Sequence, residues 1–306
     1  MHQFETGGPV QLQVRCESGE VRIETAPGER TEVDVRPLTR ASEEQAARAR
    51  VACSEQNGGH LVTVDVPSPG QRFFAGNVEV EVLVRLPEGA ALDVTTASAD
   101  VAAHGRYLGG TVRTASGDVE WERMTAAASI ATASGDVSVL EAGEALEVRT
   151  ANGDIDVRRA AGRLKLDSQS GDIRVDHAEG PARLRGASSD VEVGRAFGSL
   201  DVQTSSGDVT VRDAHADCSL STHSGDVELH SARSGKVTIE TMSGDVTVGI
   251  AQGSRVAVDG QTRSGDLHSD IPLDDEPTGG EGGPLVSLEV RTMSGDLSIV
   301  RGRSLA

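Results

Sequence analysis

Aromatic residues make up only 2% of this 306-residue sequence: one Trp, one Tyr and four Phe. A core of large rings is therefore excluded. Val, Leu, Ile and Ala must fill the interior, and such side chains suit narrow stacked strands. Cysteine is equally scarce, with Cys16, Cys53 and Cys218 and no CxxC spacing. An odd, scattered set excludes a disulfide framework and fits a reducing compartment. Lysine occurs twice, at Lys165 and Lys236, and the formal net charge is −19. A chain of that sign repels phosphate backbones and anionic lipid, so neither nucleic acid nor a membrane surface is an expected partner. No segment approaches the ~18 consecutive apolar residues of a membrane-crossing helix. The opening MHQFETGGPV lacks the basic-then-apolar pattern of a secretory leader. Together these absences predict a cytoplasmic protein without membrane insertion, with the cell surface left open.

Chemistry-bearing patterns are also missing. No Ser/His/Asp arrangement, phosphate loop or nucleotide fingerprint occurs, so no catalysis and no cofactor are expected. His215, His223 and His230 fall at different phases of the repeat described below, and are expected to be solvated surface residues. The acidic cluster Asp274, Asp275 and Glu276 sits in a Gly-rich stretch and reads as a solvated loop. A carbohydrate-active enzyme would need clustered acids and aromatics for sugar faces. The shortage of rings weighs against it.

What the sequence does contain is a repeat. TASGDVEW ends at Trp121, and its copies TASGDVSV and TSSGDVTV end at Val139 and Val211. The aspartates Asp100, Asp118, Asp136, Asp154, Asp172, Asp190, Asp208 and Asp226 follow one another at 18-residue intervals. Asp245, Asp266 and Asp296 continue the series after gaps of 19, 21 and 30 residues. Such a period marks a solenoid. Apolar residues recur six before each aspartate (Val94, Val112, Ile130, Val148, Leu166, Leu184, Val202, Leu220), and again one and three after it. Small residues such as Ala142, Ala160, Ala178, Ala196, Ala214 and Ala232 recur six after it. Cys218 aligns with Leu146, Leu164 and Leu200 and is expected to be buried. This local period of two predicts two short strands per rung, flanking the SGD turn. One rung would bury about five apolar side chains at roughly 1.5–3 kcal/mol each. Ordering its residues costs on the order of 1–2 kcal/mol apiece, so rungs must stack to fold.

The turn residues read as structural. Thr recurs four before the aspartate (Thr96, Thr114, Thr132, Thr150, Thr204, Thr222, Thr241, Thr262, Thr292), and Ser, with Asn152 the exception, two before it. Hydroxyls and carboxylates of this kind bond turn backbone. A column of carboxylates about 4.8 Å apart repels itself, which leaves bound calcium as the alternative. Ala99 and Ser189 replace glycine in two turns, which favours a second turn type over a strained positive φ.

The predicted fold is therefore an all-β, single-stranded parallel β-helix or β-solenoid with 18-residue rungs and one short helix near the N-terminus. A single domain spans 1–306. Residues 1–90 form irregular coils and a cap, 91–269 regular rungs, 270–284 an acidic Gly/Pro loop, and 285–306 a final rung and tail. PVQLQVRCESGEVRIET is a degenerate early rung. The predicted helix, SEEQAARARV from Ser42 to Val51 with a Ser42/Gln45 capping box, is placed as a cover on the first coils.

The repeat V/I/L-x-T-x-S-G-D-V/I-x-V, the early SGEVRIE rung and the late TMSGDLSIV rung resemble a bacterial putative-adhesin family of unknown function. The resemblance spans roughly residues 4 to 300 and implies a right-handed β-helix. It favours a non-catalytic binding or scaffold module that presents regular faces to a protein partner. Self-association into filaments, as in bactofilin-like β-helices, is the alternative.

Overall fold

Alternation of apolar and polar residues gives extended backbone through the rungs, and the repeat length sets how the strands meet. In the computed structural model, residues 1–56, 58–68, 78–271 and 283–302 are described. The acidic insertion, apart from 270, 271, 283 and 284, and the tail 303–306 lie outside them. The chain divides into two compact units, Met1–Asp154 and Ile155–Ala306. Each is a parallel β-solenoid.

Registers equal the repeat. In the first unit Ala128 pairs with Leu146 and Ile130 with Val148. In the second, Val191 pairs with Val209 and Val193 with Val211. Like residues therefore stack into buried columns such as Val94, Val112, Ile130 and Val148, or Leu166, Leu184, Val202 and Leu220. Cys218 stacks on Leu200. Burial pushes its thiol up to about 12, the behaviour of an inert core residue. The rings of Tyr107 and Trp121 meet edge to face at 6.2 Å in the first unit. Ala103, beside Trp121 on the neighbouring strand, leaves space for the indole.

Order along the chain and order in space part company near both chain ends. The first rung, Val10–Thr25, lies between Ala91–Tyr107 on one side and Gly59–Asp65 with Val80–Leu86 on the other. In the second unit Leu285–Ser294 lies between Gly235–Ser243 and Arg255–Thr262. The last rung of the sequence is thus interior. The reason is composition. Val286, Leu288, Val290, Leu297 and Ile299 are all buried, whereas RVAVDGQT, the sequence of Arg255–Thr262, offers fewer apolar side chains to a second neighbour.

The N-terminal cover differs from the expected helix. Arg50–Gln56 pairs antiparallel with Gly59–Asp65, Arg30–Pro37 with Val80–Leu86, and His2–Glu5 with Arg30–Pro37. A sheet edge needs N–H and C=O partners; strands supply them and a helix cannot. The helix itself is only Glu43–Arg48, with no buried residue. The Ser42/Gln45 box is not formed. Ser42 Oγ instead accepts the Thr39 N–H at 3.1 Å, and Gln45 Oε1 has no partner.

Candidate functional site

The aspartates form a ladder in each unit. Asp118 N donates to Asp100 Oδ1 at 2.9 Å, and Asp136 and Asp154 repeat the contact with Asp118 and Asp136. In the second unit the ladder runs through Asp172, Asp190, Asp208, Asp226 and Asp245. It then passes to Asp296 and from there to Asp266, at 2.8 and 2.9 Å. One oxygen of each accepting carboxylate is thus committed to backbone, which offsets the repulsion along the column. Among the described residues no group of three or more His, Cys, Asp or Glu could hold a metal ion.

The Thr column completes the turn. Gly117 N donates to Thr114 Oγ1 at 3.0 Å, and Gly135 and Gly153 donate likewise to Thr132 and Thr150. A Cβ on Gly135 would lie 1.9 Å from the Gly117 carbonyl oxygen, so close approach demands glycine there. Later turns differ: Gly207 and Gly225 adopt φ of 141° and 144°, where L side chains are strained. Two turn types therefore coexist. Ser189 stands in the glycine slot of a rung whose Thr slot holds Gly186. A Cβ added to Gly186 would meet Ser189 Cβ at 2.7 Å, so the two positions have exchanged bulk.

At the next bend the backbone repeats but the outward side chains do not. Strand alternation slips after the second core residue, so two outward residues precede the buried alanine. The residue after that alanine turns outward while its N–H bonds to the alanine carbonyl of the preceding rung. Phe197 N donates to Ala178 O, His215 N to Ala196 O, and Arg233 N to Ala214 O. Stacked registers then place Phe197, His215 and Arg233 in one column. His177, Arg195 and Asp213 form a second, as successive cross-strand neighbours.

These columns line a depression of about 610 Å³, completed by Asp176, Gly194 and Arg212. Phe197 is 45% exposed, and its ring is tilted on His215 at 4.5 Å. Asp213 is buried and bonds Arg233 Nε through both oxygens, at 2.7 and 3.0 Å. It also meets His215 Nε2 at 3.0 Å. Burial works to raise the Asp213 pKa, but the hydrogen bond from Arg233 and the neighbouring charges outweigh it and hold the carboxyl below its ordinary value. The same hydrogen bond raises the Arg233 pKa. A smaller groove of about 170 Å³ in the first unit holds charges already paired, such as Arg36 with Asp34 and Arg85 with Glu24.

His215 was expected to be solvated; it joins this cluster, whereas His230 lies 3.2 Å from Glu228 and His223 is exposed. Phe197, Asp213, Arg195 and Arg233 carry no motif. Their signal was positional: a rare aromatic and an acid at positions where the strand alternation turns side chains outward.

Fold and corner together define a parallel β-solenoid with a charged depression in its second unit. The chain belongs to the Toastrack DUF4097 family, whose model matches residues 10–181 and 141–300. No curated protein matches it. Among solved structures it is similar to one described as a putative cell adhesion protein from Clostridium sporogenes. That likeness has 8% identity and a TM-score of 0.23, and it covers 95% of this chain and 92% of that one. Among the described residues no helix is long and apolar enough to cross a membrane.

Proposed function

We propose that this chain is a non-catalytic, adhesin-like binding module that presents its rung faces to a protein partner and docks it at the Phe197 corner. The observation that carries this reading is the 45% exposure of Phe197 within a concave, non-repeating cluster. Aromatic and Arg side chains at the centre of a patch supply most of the energy of protein interfaces. The family is of unknown function, and the cluster supports binding better than chemistry. Asp213 is already paired with Arg233 and hydrogen-bonded to His215. The charge of −19 disfavours nucleic acid.

The test is a random-peptide display selection on the immobilised full-length chain. Peptides enriched on the wild type should bind Phe197→Ala at least about tenfold more weakly, with unchanged thermal melting. Equal binding to both forms would overturn the placement of the docking surface.

A further inference from the structure

We infer that the corner reads a carboxylate: an acidic side chain of the partner seats on Arg195, with an adjoining apolar side chain against Phe197. This rests on the binding reading above and names the chemistry of the partner.

The other charges of the depression are already committed. Arg233 holds Asp213 at 2.7 Å, Arg212 pairs with Glu192, and Asp176 lies 3.4 Å from Arg158. Arg195 is exposed and has no hydrogen-bond or ion-pair partner among the described residues. Its cross-strand neighbours are His177 and Asp213, and the Asp213 carboxylate is engaged by Arg233 and His215. A free guanidinium therefore stands in a depression where three Arg face two carboxylates, on a chain of net charge −19. The local sign is inverted relative to the whole.

Guanidinium presents a planar fork that matches a carboxylate in two parallel hydrogen bonds. A polyanion is disfavoured, because the acidic surroundings act over a Debye length of about 8–10 Å. A single carboxylate flanked by neutral groups fits. Phe197 and His215 on the same rim offer the apolar contact such a flanking residue needs. A partner of basic overall charge would be drawn to the acidic chain, and one acidic contact at the corner would set its orientation.

The experiment extends the peptide selection to full-length Arg195→Glu, alongside wild type and Phe197→Ala, after melting curves establish that all three fold. Wild-type selections should enrich Asp or Glu next to an aromatic or aliphatic residue. A synthetic peptide of that sequence should bind Arg195→Glu about tenfold or more weakly, and its Glu→Lys counterpart should recover binding to that variant. Peptides that depend on Phe197 but are indifferent to the sign at position 195 would overturn the carboxylate assignment and leave the binding reading standing. Peptides indifferent to both positions would overturn both. Galacturonate oligomers binding through Arg195 where no peptide does would overturn the protein partner in favour of an acidic saccharide.

Discussion

Asp213 is held by two neighbours, and its carboxyl has a folded pKa below the ordinary 3.8. A carboxylate depressed in the native state stabilises the fold at pH values above its unfolded pKa, and that contribution is lost as pH falls through the folded value. Asp213→Asn keeps the shape but removes the charge that Arg233 holds. It should cost about 1–3 kcal/mol at neutral pH. The gap to wild type should then narrow as pH drops past the ordinary aspartate range. Urea unfolding across that range measures both; a gap that stays constant with pH would show that the pair contributes packing alone. Column position, eighteen residues from Arg195 and from Ser231, was readable for Asp213. Its burial was not, because that depends on the Arg233 side chain reaching back across a rung.

At the level of the rung, the exchange between Gly186 and Ser189 shows how a turn tolerates departure from its consensus. The slot for Thr is empty where the slot for glycine is filled. Gly186→Thr alone places a Cβ 2.7 Å from Ser189 Cβ, and overpacking of this kind costs about 1–3 kcal/mol. Gly186→Thr with Ser189→Gly restores the ordinary arrangement, and should recover most of the loss. A double-mutant cycle in thermal melting checks the coupling, and additive effects would refute it. Ala99 and Ser189, in place of glycine, point to a second turn type at their rungs. Glycine is nonetheless present in turns of both kinds, around Gly153 and around Gly207, which differ in φ and in the partner of the glycine N–H: the Thr150 hydroxyl in one, the Ser224 carbonyl in the other. Periodicity could not reveal this, since turns of both kinds, such as those at Gly135 and Gly207, use the same SGD letters.

For the molecule as a whole, chain order is a poor guide to stability order. Leu285–Ser294 is paired on both sides and Arg255–Thr262 on one among the described residues. Backbone amides exchange most readily where ladders end. Hydrogen exchange should therefore show stronger protection at Val286–Val290 than at Val256–Gly260, although the former lies later in the chain. The reverse order would mean that the last rung is peripheral. The 18-residue period, the all-β class, the buried columns and the turn aspartates were legible in the sequence alone. Each follows from local alternation and from a register equal to the repeat. Tertiary structure alone decided which rung lies inside, what covers the first edge, and which outward side chains meet. These depend on competition between segments far apart in the chain for the same ladder, and on bends that bring residues of successive rungs to within about 5 Å. Neither leaves a mark in the spacing of residues along one rung.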